Sequence, residues 1–193
     1  MPNVLIEGLK ERIEKAIKVN QSVGIVLPGN NYTDLLNALY AQVEDDYDSK
    51  WVYICATRPY STLLNEFNGL RDLKNIDFID CISRAGGISN NDPNCVYIES
   101  PTMLEKMGLA VINTFKNMDE NTNKYLVLDS LTNLVIYNHS DIVTEFFYHL
   151  INRTRARDIH MVSLAIEEGE INKNINKLIY LNDKILKVKD SFL

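Results

Sequence analysis

The sequence predicts a three-layer α/β sandwich: a mostly parallel sheet with helices on both faces and a C-terminal β-hairpin. Three observations lead there. Short apolar runs alternate along the chain with stretches whose apolar residues recur every three or four positions, the signature of strands alternating with helices. Within the run Lys124-Tyr125-Leu126-Val127-Leu128-Asp129, Tyr125 to Leu128 are apolar at consecutive positions, as a central parallel strand buried on both faces must be. It ends in a carboxylate, and an earlier apolar run ends in Pro28-Gly29-Asn30-Asn31. Both loops then fall at the carboxyl edge of the sheet, where α/β folds collect ligands.

Each element has its own signal. Leu5, Ile6, Leu9, Ile13, Ala16 and Ile17 share one face of a helix expected from Val4 to Val19. Ser22 to Leu27 reads as a short buried strand, punctuated by the Pro-Gly-Asn-Asn turn. Leu35, Leu36, Leu39, Tyr40 and Val43 mark the next helix, which stops in the acidic run Glu44 to Asp48. Trp51 to Ala56 is the second strand, followed after Pro59 by a helix carrying Leu63, Leu64, Phe67 and Leu70. Ile76 to Ile82 is the third strand. Ser83 to Asn94, with Gly86-Gly87 and Pro93, is an exposed loop. Val96 to Ile98 suggests a short strand, and Pro101 opens a helix bearing Met103, Leu104, Met107, Val111 and Phe115.

After the Asp129 strand, Leu131 to Tyr137 is a short helix. Asp141 caps a longer one with Ile142, Phe146, Leu150 and Ile151 on its face and Arg153, Arg155 and Arg157 at its end. Ile159 to Ile166 is the next strand, and Glu167 to Asn176 is read as helical. Leu178 to Leu181 and Lys184 to Val188 flank Asn182-Asp183, a two-residue hairpin turn.

Composition bounds the rest. At 193 residues the chain suits one domain, 1–193, with no repeat or linker. No apolar run approaches the roughly 20 residues of a membrane span, and the first residues lack signal-peptide character. Three cysteines without a Cys-x-x-Cys spacing argue against zinc or a disulfide framework and for a reducing, cytoplasmic setting. A net charge of −6 gives no global drive toward nucleic acid. His139, His149 and His160 lack metal-site spacing, and no Gly-x-Ser-x-Gly elbow occurs.

Strand, loop, helix, and a later strand ending in Asp: this order resembles the P-loop NTPases, in particular the KaiC-like branch of the RecA superfamily, of archaeal type. Ser22 to Leu39 is similar to that family's first strand, phosphate loop and helix. Trp51 to Asp80 and Lys124 to Glu168, with Val-Leu-Asp-Ser-Leu-Thr, are similar to its later strands. The resemblance implies a RecA-like sheet, a phosphate site at Gly29, Asn30, Asn31, Tyr32 and Thr33, and Asp129 as the magnesium acid. The departures are chemical. A phosphate loop needs Gly-x-x-x-x-Gly-Lys-Ser/Thr, whose backbone amides and Lys hold the phosphates. This loop has one glycine, no Lys or Arg occurs from Val19 to Ser49, and Asp34 would repel a triphosphate. Asn30 and Asn31 are the residues able to take positive φ in place of glycine. The position after the second strand, where the family places catalytic acids, reads Ala56-Thr57-Arg58-Pro59, with no carboxylate before Glu66.

These departures favour a helix-cap role for Asp129 or Ser130, a loop charge for Arg58, and packing for Tyr32, Tyr60 and Tyr137, which otherwise suit base stacking. Glu167-Glu168 fit a helix first turn, and the arginine cluster fits a solvated helix end over an intersubunit finger. The expectation is a non-catalytic RecA/KaiC-like regulatory or scaffolding protein with no cofactor, working through a protein partner or self-association. The first helix, Val4 to Val19, would be its docking element, the alternative role being to cover the sheet. The alternatives are a divergent ATP–Mg binder or weak ATPase, and a DNA-repair or recombination accessory protein.

Overall fold

The computed structural model describes residues 4–67, 69–116, 118–119, 121–167 and 172–188. In chain order the elements are α1 (Val4–Val19), β1 (Ser22–Pro28), α2 (Tyr32–Asp45), β2 (Lys50–Cys55), α3 (Tyr60–Glu66), β3 (Ile76–Asp80), β4 (Cys95–Tyr97), α4 (Leu104–Lys116), β5 (Lys124–Asp129), α5 (Leu131–Tyr137), α6 (Ser140–Arg155), β6 (Ile159–Glu167), α7 (Asn172–Ile179) and β7 (Lys184–Lys187). The seven strands form one sheet, ordered β4-β3-β2-β5-β6-β1-β7. Every strand pairing among the described residues is parallel.

Strand side chains alternate between two cores. Val23, Ile25, Trp51, Tyr53, Val127 and Leu164 pack beneath α1, α2 and α3. Val52, Ile54, Leu126, Leu128 and Met161 pack against α4, α5, α6 and α7. A strand apolar at consecutive positions feeds both cores, which is why the central runs show no polar alternation. β5 is buried along its whole length, and Asp129 stands at its carboxyl end.

Several expected boundaries move. The C-terminal hairpin does not form. Leu178 and Ile179 belong to α7, and β7 lies parallel beside β1, from Val23 opposite Lys184 to Val26 opposite Lys187. The reason lies in Asn182-Asp183, which here is a helix stop and a strand anchor. The Asn182 amide donates to the Ile179 carbonyl at 2.9 Å. Asp183 accepts the Ser22 backbone N–H at 2.9 Å and the Arg155 guanidinium at 2.6 Å. Burial pushes the Asp183 carboxyl up, but the Ser22 and Arg155 donors outweigh it and hold the group below the usual carboxylate range.

α4 begins at Leu104, with Pro101 in the preceding turn. α6 begins at Ser140, with His139 at the cap position and Asp141 already inside the first turn. Its buried stripe runs through Val143, Phe147, Leu150, Ile151 and Thr154, leaving Ile142 exposed. α3 is shorter than its apolar spacing suggests, and Phe67 and Leu70 are buried from the turn that follows. Glu167 closes β6, and Glu168, with the first part of the helix expected from Glu167, lies outside the described residues.

α7 crosses β1 closely at Gly24. A Cβ there would meet Ile179 Cδ1 at 2.6 Å and Asn182 Nδ2 at 2.8 Å. Gly24→Val is therefore expected to cost about 3 kcal/mol through overpacking, read as a lower urea midpoint. A midpoint equal to wild type would mean that α7 moves away freely.

Candidate functional site

The strand ends meet at Asp129, which is fully buried. β2 lies beside β5 with Tyr53 opposite Val127 and Cys55 opposite Asp129. On β2, Tyr53 shares a core with Trp51 and Cys55 and reaches the carboxylate from below: its hydroxyl donates to Asp129 Oδ2 at 2.6 Å. Tyr32, the first residue of α2, reaches it from across the strand ends, and its hydroxyl donates to the same oxygen. Thr57, just past β2, donates to Oδ1 at 3.0 Å. Oδ2 thus receives two hydroxyls, which use both its lone pairs, and the side chain is shut from solvent.

The electrostatics follow from this enclosure. Burial pushes the Asp129 carboxyl up, and the hydrogen bonds from Tyr32, Tyr53 and Thr57, with the field of Arg58, pull it back without cancelling the rise. Burial, then the neighbouring carboxylate, raises the Tyr32 phenol far above its ordinary range. Burial raises Tyr53 likewise. The two phenols therefore remain donors at any physiological pH. Arg58 lies 4.9 Å from the centroid of the Tyr32 ring and forms an ion pair with Glu66, the first carboxylate after β2. A cation over the ring face is favourable, so Arg58 holds Tyr32 in place while its own charge is met by Glu66.

The phosphate-loop candidates are arranged otherwise. Gly29, Asn30 and Asn31 form a single 3-10 turn that runs straight into α2. Asn31 has φ −95°, and Gly29 and Asn30 are absent from the described positive-φ positions, Gly69, Gly87 and Asp158. Asn30 and Asn31 thus do not use the positive φ open to them, because a one-turn connection needs no left-handed residue. Gly29, Asn30 and Thr33 are exposed, and of the five candidates only Tyr32 touches Asp129.

Asp129 also departs from its expected cap role. The cap is Ser130, whose hydroxyl accepts the Asn133 N–H. The reason is geometric: the Asp129 side chain extends into the tyrosine-lined core, while Ser130 faces the first turn of α5. Tyr60 packs against Phe78 with centroids 4.7 Å apart, whereas Tyr137 is exposed. Asp80, the other acid at a strand end, is buried and accepts Tyr60 N–H, Ile82 N–H, Ser83 N–H and the Ser83 hydroxyl. Its role is to fix the turn after β3.

The donor set does not fit magnesium or a phosphate. A magnesium ion keeps several waters and needs an open carboxylate oxygen, and here hydroxyls hold Asp129 in a closed site. No described residue of the loop supplies a cation for phosphate. Among the described residues no group of three His, Cys, Asp or Glu could hold a metal, and no helix is long and apolar enough to cross a membrane. Cys55, Cys81 and Cys95 are buried free thiols. Arg155 is spent on Asp183, and Arg157 donates to the Arg153 carbonyl at 3.3 Å.

Tyr53 and Thr57 went unnoticed in the sequence as partners of Asp129. The signal was there: a tyrosine inside an otherwise apolar buried strand needs a partner for its hydroxyl.

The all-parallel sheet, with an acid at the carboxyl end of its central strand faced by the helix that follows β1, is an α/β fold of RecA-like kind. Comparison with solved structures agrees. The uncharacterized protein PH0321 of Pyrococcus horikoshii, solved with an unknown peptide, matches with a TM-score of 0.68 at 14% identity over 95% of this chain and 84% of that one. The KaiC-like protein PH0186 of Pyrococcus horikoshii OT3 matches with a TM-score of 0.60 at 12% identity over 90% of this chain and 74% of that one. The helicase MrfA, solved with DNA and AMPPNP, matches at 0.57 and 15% identity over 97% of this chain but 27% of its own. At such identities the likeness is one of fold. No family model matches the sequence, and no curated protein matches it.

Proposed function

We propose that this chain is a non-catalytic RecA/KaiC-like protein, a pseudo-ATPase of archaeal type that acts in the cytoplasm as a regulator or scaffold through protein–protein contact. One observation carries the proposal: the hydroxyls of Tyr32 and Tyr53 occupy the carboxylate of Asp129, where a working relative would hold a magnesium ion. The absence of any Lys or Arg from Val19 to Ser49 supports it, since a triphosphate at Gly29 to Thr33 would meet no cation from that segment. A protein partner is supported by the peptide carried by the structural neighbour PH0321.

Calorimetric titration with ATP and magnesium tests the proposal. No heat and no shift in melting temperature at millimolar nucleotide are expected, in the wild type and in Asp129→Ala alike. Micromolar binding that disappears in Asp129→Ala would overturn it and install the alternative, a divergent ATP-binding protein with Asp129 on the metal. Tyr32→Phe serves as a second variant that keeps the ring and its Arg58 contact, so a folding defect in Asp129→Ala does not leave the test open.

A further inference from the structure

A groove of about 300 Å³ lies between α4 and α6. Leu104 and Gly108 on α4, with Ile142, Phe146 and Leu150 on α6, line its apolar part. Gly108 gives the groove its depth. Glycine inside a helix is less stable than alanine, and here the fold does not demand it. A Cβ at Gly108 would meet only Phe146 Cε2 and Arg153 Nη1 within 4 Å, both at 3.7 Å, an ordinary contact. What the glycine leaves is room for a group from outside.

The charges along α6 are ordered. Glu145, His149 and Arg153 all line the groove and fall four residues apart, so they form one row along the helix. Glu145 and Arg153 end the row about 12 Å apart along the axis. Among the described residues no ion pair engages the Arg153 guanidinium, and Glu145 has only His149, at 3.9 Å. Ile142 and Tyr148 flank the row and are 53% and 55% exposed. Acid, ring and base at even spacing read the same in reverse with the signs exchanged. Such a row complements an antiparallel copy of itself, and a two-fold interface requires that kind of self-complementary surface.

We infer that the α4–α6 face pairs with a second copy of this chain, the two α6 helices lying antiparallel across a two-fold axis at His149. Glu145 of each copy meets Arg153 of the other, which fixes the register. Ile142 and Phe146 leave water, and each α6 ridge lies over the groove that Gly108 keeps open in the other copy. The inference rests on the reading of this chain as one that acts through protein–protein contact, and it fails separately. A monomer overturns it, while the nucleotide titration still decides that reading.

Sedimentation equilibrium on the full chain tests it, at concentrations up to about 500 µM because small interfaces associate weakly. The mass is expected to rise reversibly from monomer to dimer. Arg153→Glu and Glu145→Arg each set like charges opposite one another and are expected to weaken the dimer at least tenfold, to order of magnitude. Mixed one to one, the two variants are expected to form a heterodimer about as tight as the wild type, because both cross-pairs are then of opposite sign. Gly108→Leu fills the groove and is expected to abolish the dimer without lowering the melting temperature. The charge variants lie on exposed positions, and an unchanged melting temperature confirms that they fold. The inference fails if the wild type stays monomeric, if Arg153→Glu or Gly108→Leu dimerises as the wild type does, or if mixing the charge variants restores nothing.

Discussion

Asp129→Ala is expected to lower the unfolding free energy by about 3 kcal/mol, measured by urea titration. The change removes the acceptor of two buried phenols, Tyr32 and Tyr53, which are 4% and 1% exposed. A buried donor left without a partner costs about 1–3 kcal/mol, and the void adds to it. Tyr32→Phe and Tyr53→Phe introduced with Asp129→Ala should recover part of the loss, since polar groups removed together leave no orphan. A triple variant less stable than Asp129→Ala alone would mean that the phenols do not depend on the carboxylate. The group also leaves a pH signature. Its folded pKa is raised, so the folded state holds this proton more tightly than the unfolded chain. Its contribution therefore falls as pH rises from the unfolded value, about 3.9, through the raised one. Asp129→Ala should lack that decline, seen as a flatter stability profile above pH ~4.

Trp51→Ala is expected to cost about 4 kcal/mol, the range for deleting a large buried aromatic. Trp51 is fully buried, stacks on Tyr125, and sits in the core beneath α1 and α2. Trp51→Phe should cost far less, about 1 kcal/mol. Among the described residues the indole Nε1–H has no hydrogen-bond partner, so its removal offsets some of the lost contact. Chemical denaturation followed by far-ultraviolet circular dichroism measures both. Equal losses in the two variants would show that the indole N–H is satisfied after all.

Much of the fold was legible in the sequence. The central strand announced itself because burial on both faces removes polar alternation, and α1 emerged from Leu9, Ile13, Ala16 and Ile17 at helical spacing with the bounds Val4–Val19. The C-terminal segment misled because Asn-Asp between two apolar runs is also hairpin chemistry. Local sequence could not show that Leu178 has sheet to cover as a helical residue, or that β1 offers its free edge to β7.

At the site, the sequence by itself determined that the loop from Pro28 to Asp34 carries no cation and that Asp129 ends a buried strand, because both follow from residue type and run length. Only the tertiary structure decided what Asp129 does. Tyr32 is 97 residues away in the chain and Tyr53 is 76. Their convergence depends on β2 lying beside β5 and on α2 starting one turn after β1, and sheet order is set by long-range packing that no local pattern encodes.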